Sequence, residues 1–318
     1  MLPEIKEITS INTREEFERV AMEVFRFQAR HCAPYANYLE LLEVDGDAIK
    51  SVDEIPFMPI EFFKSHTVYC AEKEPEKIFT SSSTGSDTPS KHRVAQLADY
   101  EECFFAAFNR FYGEKPIYAL LPCYLEREGS SLVYMADRLI ARYGGGFYLN
   151  DYERLIADMA ADPREKILLG VSYALWDLAE IYAPRLTNTI VMETGGMKGR
   201  REEISKSRLH EILCGGLGVE QIHSEYGMAE LMSQAYSYGR GVFMTPPWMS
   251  VRIRDINDSF TTMPAGRSGG VDIIDLGNLY SCAFIETQDM GKMLDDGRFE
   301  LSGRIDRSQI RGCNLLIQ

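Results

Sequence analysis

The chain has 318 residues, 45% hydrophobic and 26% charged, which is ordinary for a soluble globular protein and ample for a large buried core. A net charge of −14 speaks against a nucleic-acid partner, since phosphate contacts require a basic face. No apolar run nears the ~20 residues of a membrane span; the longest, Ile117 to Leu125, is interrupted by Pro122 and reads as a buried strand. Glu4, Lys6 and Glu7 with no apolar stretch behind them do not make a secretory signal. The seven cysteines are scattered without a CxxC pair, so no disulfide framework is expected and a reducing cytoplasm is the expected location. His210, Cys214 and His223 lack the paired spacing of a zinc site and read as ordinary burial or surface residues.

The first 75 residues read as a helical segment. Phe17, Val20, Val24 and Phe27 recur at helical spacing, with Thr13 as a candidate N-cap ahead of Glu15 and Glu16. Pro56 and Pro59 break this pattern. Residues 76–240 alternate between the two periodicities. Strands are expected near 78–80, 117–121, 146–149, 167–171, 188–192 and 219–223. Helices are expected over 97–112, 130–143, 151–161, 173–182 and 200–214. Such alternation predicts an α/β core with parallel pairing. Phe104, Phe105, Phe108 and Phe111 form an aromatic stripe that reads as core. Residues 241–318 are β-rich, with turns at Pro264–Gly270 and Asp295–Gly297, and read as a small subdomain packed on the α/β part.

Four segments carry candidate chemistry. Thr80-Ser81-Ser82-Ser83-Thr84-Gly85 leaves a strand and offers hydroxyls and free amides to anionic oxygens, with Lys91 following. It lacks GxxxxGK[ST], so it is not a Walker A loop. Tyr226-Gly227-Met228-Ala229-Glu230 combines a flat ring, a close-approach glycine and a carboxylate able to hold a hard cation. Asp289 is a candidate partner for a ribose diol, and Arg304, Arg307 and Arg311 suit phosphate. Each segment alone reads equally well as a solvated turn or a charged surface loop.

In this order, spanning residues 80–312, the segments resemble the motifs of the adenylate-forming superfamily, which includes acyl-CoA synthetases and the luciferase-associated acyl-protein synthetases. Thr80–Gly85 resembles the phosphate loop, Tyr226–Glu230 the YGMTE-type motif, Asp289 the ribose aspartate, and Gly303–Asp306 the hinge motif. Glu193-Thr194-Gly195-Gly196 is similar to the segment lining adenine. The resemblance implies an adenylate-forming N-terminal-domain fold with parallel-rich sheets and without the large C-terminal lid domain. It also implies ATP and Mg²⁺ as cofactors, with Glu230 as the metal ligand, a carboxylic acid, possibly fatty, as substrate, and activation to acyl-AMP. The short chain and Arg311-Gly312-Cys313 are similar to the acyl-protein synthetase branch, which makes Cys313 the candidate acyl acceptor, Arg304 a catalytic candidate, and a reductase or carrier protein a candidate partner. The alternatives are an acyl-CoA ligase of reduced size and a non-catalytic nucleotide-binding protein. Ser82 stands where the family loop has glycine, and Ala229 where YGMTE has threonine.

Overall fold

The computed structural model describes residues 2–81, 88–122, 129–196, 201–202 and 204–305. Its N-terminal part opens with α1 (Ile5–Thr9), α2 (Arg14–His31) and α3 (Ala33–Leu41). Thr13 caps α2 as expected. Its hydroxyl accepts from Glu16 N at 3.2 Å, and Glu16 Oε2 accepts from Thr13 N at 3.1 Å, so two orphan amides are satisfied reciprocally. The buried face of α2 holds Phe17, Val20, Val24 and Phe25. Phe27 is rotated off it and lies half-buried, its ring 4.6 Å from that of His31.

After β1 (Met58–Pro59), α4 (Phe62–Ser65) and the hairpin of β2 (Lys77–Thr80) with β3 (Lys91–Val94), strands and helices alternate. The order is α5 (Leu97–Tyr112), β4 (Ile117–Leu120), α6 (Ser131–Tyr143), β5 (Gly145–Phe147), α7 (Tyr152–Ala161), β6 (Lys166–Val171), α8 (Ser172–Asp177), β7 (Thr189–Thr194), α9 (Lys206–Leu217) and β8 (Ile222–Tyr226). Strands β5-β4-β6-β7-β8 are parallel, as the alternation predicted. β9 (Ala235–Ser237), β10 (Val242–Met244), β11 (Met249–Arg254), β12 (Ser268–Asp275), β13 (Phe284–Met293) and β14 (Phe299–Arg304) continue the same sheet antiparallel, in the order β8-β9-β10-β14-β13-β12-β11. β1 adds parallel to β13, completing twelve strands among the described residues.

Three boundaries differ from expectation for physical reasons. Helix α9 begins at Lys206 rather than 200, because the Ser205 hydroxyl caps it by accepting from Arg208 N. It continues through Gly215 and Gly216, whose missing side chain lets Ala179 pack close, and stops at Gly218 with φ +71°. Strand β8 is correspondingly displaced toward Tyr226. The helix expected to reach 182 is regular only to Asp177; Leu178–Tyr182 is a π-turn closed by Ala183 at φ +42°. The aromatic stripe is core: Phe104 and Phe108 are buried, with Phe105 and Phe111 packed at its margin.

Candidate active site

The connection from β4 to β6 passes through β5 on the far side of β4, so strand order reverses at β4. In open α/β sheets, ligands bind beyond the carboxyl ends of the strands at such a reversal. The chain after β4 returns to meet the hydroxyl-rich loop there: Thr80 N donates to Gly129 O at 2.8 Å, and a side chain at Gly129 would collide with the Thr80 hydroxyl. Lys91 is exposed on β3 opposite Thr80. Ser82, Ser83, Thr84 and Gly85 lie outside the described residues, as do Arg307, Arg311 and Cys313.

The neck of that loop is closed by a pair of serines. Ser81 N donates to Ser90 O at 3.2 Å, and Ser90 N donates to Ser81 Oγ at 3.0 Å. The Ser90 hydroxyl then donates to Glu230 Oε1, joining the loop to the turn between β8 and β9. Ser90 was not among the expected site residues. A lone serine carries no pattern, and its role exists only because the hairpin brings it to Glu230.

The turn that carries Glu230 is held from several sides. His92 Nδ1 donates to Ala229 O at 2.8 Å, and Asn278 Nδ2 donates to Glu230 O at 2.9 Å. Asp275 accepts from Met232 N, Ser233 N and Ser233 Oγ, each at 2.8 Å. Burial drives the His92 pKa down to about 4, so it is neutral and its ring orients the turn without adding charge. Glu230 is 5% exposed, and burial raises its pKa against the pull of Ser90 and the more distant Arg304 and Lys64. Among the described residues no group of three His, Cys, Asp or Glu could hold a metal ion. A single carboxylate of this kind fits Mg²⁺, which commonly completes its shell with water and substrate phosphates.

A second convergence lies along the same edge. The sheet curls so that Tyr226 of β8 reaches β13, four strands away in sheet order, and its hydroxyl donates to Asp289 Oδ2 at 2.7 Å. Asp289 pairs in register with Arg304, whose Nε lies 3.3 Å from Asp289 Oδ1. Phe243 and Phe299 fill the curl and meet the Tyr226 ring edge-on, each 6.0 Å away. Three residues singled out in distant parts of the sequence are therefore in contact. Asp289 is part-buried, whereas Arg304 stands 74% exposed.

The ends of β7 and β8 hold two buried carboxylates, Glu193, which opens the segment similar to the adenine-lining one, and Glu225, which the sequence did not single out. Glu193 meets Lys206 Nζ at 2.6 Å, Ser224 Oγ at 2.8 Å, Ser172 Oγ at 3.1 Å and His210 Nε2 at 3.5 Å. Burial alone would raise its pKa, but His210, Lys206 and Ser224 outweigh it and hold it at about 2. Glu225 has the Thr194 hydroxyl at 2.5 Å, and burial lifts its pKa to about 7. A side chain at Gly227 would collide with the Glu225 carboxylate and sit 3.2 Å from Gln234 Cγ, which explains the glycine there. Gly195 and Gly196 follow β7 and are exposed; Gly195 O accepts from Ser172 Oγ at 3.2 Å. His223 bonds the Tyr112 hydroxyl at 3.2 Å, away from His210.

No protein family matches the sequence, and no curated protein matches it. Solved structures do match the fold. An open conformation of 2-hydroxyisobutyryl-CoA ligase in complex with 2-HIB-AMP and CoA aligns over 96% of this chain and 80% of that one, with TM-score 0.68 and 14% identity. The same ligase in its postadenylation state aligns over 90% and 66%, with TM-score 0.65. ATP-bound MatB from Rhodopseudomonas palustris aligns over 71% of this chain, with TM-score 0.56 and 15% identity. The chain spans about half of MatB, 47% of its length. The chain thus shares the mixed α/β, parallel-rich fold of acyl-adenylate-forming CoA ligases.

Proposed function

We propose that this chain uses ATP and Mg²⁺ to activate a carboxylic acid as an acyl-adenylate and then passes the acyl group to a protein thiol. The observation that carries the reading is the contact of Tyr226, Asp289 and Arg304 on the same strand edge as Glu230, within a fold shared with ligases solved with ATP or an acyl-AMP. Thr80 to Gly85 with Lys91 would take the leaving phosphates, Gly195 and Gly196 would face the base, and Asp289 would take the ribose diol beside the Tyr226 ring. Mg²⁺ on Glu230 would neutralise phosphate charge when bound.

A carboxylate is already ionised at neutral pH, so the protein's work is positioning and charge stabilisation. The acid's oxygen attacks the α-phosphorus, the bond to the bridging oxygen breaks, and pyrophosphate leaves. In the second step a thiolate attacks the acyl carbon and AMP leaves, with Cys313 as the thiol the sequence suggests. The fatty nature of the acid and a reductase or carrier protein as onward acceptor belong to this same proposal.

The test is ATP–pyrophosphate exchange with Mg²⁺ across short, long and aromatic acids. Acid-dependent exchange is expected, and Glu230→Gln should lower it by about 10²-fold or more. Nucleotide binding without exchange for any acid would overturn adenylation and favour a binding protein. A labelled acyl group should be lost from Cys313→Ser; label persisting on that variant, or appearing only on added CoA, would overturn the thiol acceptor.

A further inference from the structure

The sheet face beneath α5 collects polar side chains that the fold leaves lightly partnered. Glu225 of β8 stands opposite Tyr236 of β9 in register, and opposite residues of an antiparallel pair share a face. Gln234 reaches the same place. A side chain on Gly227 would collide with Glu225 Oε1 and sit 3.2 Å from Gln234 Cγ, so the carboxylate and the amide flank one point. Thr194, at the end of β7, closes the patch from the other side, its hydroxyl donating to Glu225 Oε2 at 2.5 Å. Tyr236 is fully buried and Gln234 is 4% exposed. The Tyr236 ring is held by α5, 5.2 Å from the ring of Phe111 and 5.3 Å from that of Tyr112, whose own hydroxyl is bonded to His223.

Among the described residues, four buried side-chain polar atoms lack a hydrogen-bond partner, and two of them, Gln234 Oε1 and Tyr236 Oη, belong to this one patch. A buried polar atom left unpaired carries an uncompensated desolvation penalty, so a native fold keeps such atoms where water or a ligand completes them. The patch opens toward the proposed adenylation centre. Gly227, Met228 and Ala229, which link it to Glu230, are all part-exposed. An acid with its carboxylate beside Glu230 therefore has a short route for its chain along β8 to Glu225.

We propose that Glu225, Gln234 and Tyr236 select the acid, and that the acid's chain bears a hydrogen-bond donor, an amine or a hydroxyl, which these side chains accept. The inference rests on the adenylation reading and narrows its substrate: an alkyl chain fits only when it carries such a group. An ammonium offers its protons to the Glu225 carboxylate, Gln234 Oε1 and Tyr236 Oη. A hydroxyl donates to one of these acceptors and accepts from the Tyr236 O–H. A plain hydrocarbon chain would leave Gln234 and Tyr236 unpaired and would strip water from Glu225 as well. A site built to hydrogen-bond a polar group rejects the analogue lacking it for this reason.

The experiment titrates the full-length protein calorimetrically with three matched sets of acids: propionate, lactate and alanine; butyrate with its γ-hydroxy and γ-amino forms; and caproate with its ε-hydroxy and ε-amino forms. The α,β-methylene analogue of ATP is present, since it cannot release pyrophosphate, and ATP–pyrophosphate exchange is read separately. In at least one set a substituted acid should bind at least about tenfold tighter than the plain one. Tyr236→Phe and Gln234→Met should each cut that preference to within about threefold. Glu225→Gln should abolish a preference for the amine and keep one for the hydroxyl, which tells the two donors apart. Tyr236→Phe removes an unpartnered hydroxyl and keeps the ring, so its thermal melt should match wild type. Selective binding without exchange would sink adenylation and leave this inference standing. Plain acids binding or exchanging as well as their partners in every set, no acid binding at all, or a preference that survives both Tyr236→Phe and Gln234→Met would overturn it.

Discussion

The two halves of the sheet treat buried charge differently. In the antiparallel half, Asp272 is bracketed by Arg254 at 2.8 Å and Arg252 at 3.0 Å, and Arg254 continues to Thr287 O at 2.8 Å. Asp275 accepts from three backbone amides and a hydroxyl. On the carboxyl edge of the parallel half, among the described residues, only Glu193 has such a set. Glu225 has the Thr194 hydroxyl, and Glu230 has the Ser90 hydroxyl. Fully partnered carboxylates hold a fold together, whereas lightly partnered ones at strand ends keep capacity for a ligand.

The neighbouring pair Glu193 and Glu225 offers the largest test of this contrast. The pKa of Glu193 falls from 4.5 to about 2 on folding, so its contribution is present above pH 4.5 and is lost as pH drops toward 2. Glu193→Gln should therefore destabilise the protein near neutrality by about 3 kcal/mol, leaving Lys206 unpaired. The pKa of Glu225 rises from 4.5 to about 7, so its contribution is whole below pH 4.5 and is lost as pH climbs through 7. Glu225→Gln should then stabilise the protein at pH 8 by up to about 3 kcal/mol relative to its effect at pH 4. Denaturant unfolding of both variants across this range measures the two slopes. Parallel slopes would erase the contrast.

Gly227→Ala comes next. Its methyl would meet the Glu225 carboxylate and Gln234, and overpacking of this kind costs about 1–3 kcal/mol. A thermal melt equal to wild type would mean that the edge is looser than the contacts imply. The smallest effects should come from the second cluster. Tyr226→Phe removes one hydrogen bond to Asp289, worth about 1 kcal/mol of stability. Arg304→Ala breaks an exposed pair, and its stability should stay within about 0.5 kcal/mol of wild type. Under the proposed function Arg304→Ala should still weaken nucleotide binding, which titration calorimetry would read. Unchanged binding would confine Arg304 to the surface.

Local chemistry was legible from one end of the chain to the other. The Thr13 capping box, the span of α5 and the turns at Gly266 and Gly297 depend on residues within a few positions of each other, so the sequence alone determined them. The parallel order of β4 to β8 followed from strand–helix alternation, because parallel strands require a crossover. The single twelve-stranded sheet was not legible, since strand pairing across the β8–β9 turn leaves no periodic mark. Nor were the roles of Ser90 and Glu225, or the polar partners that gather around Glu193. Each owes its role to a partner tens to hundreds of residues away: Ser90 to Glu230, Glu193 to Ser224, Glu225 to Thr194. Composition and spacing govern what a segment forms locally. Burial and long-range contact decide which of its polar groups are desolvated, and only desolvation separates a reactive carboxylate or thiol from a solvated one.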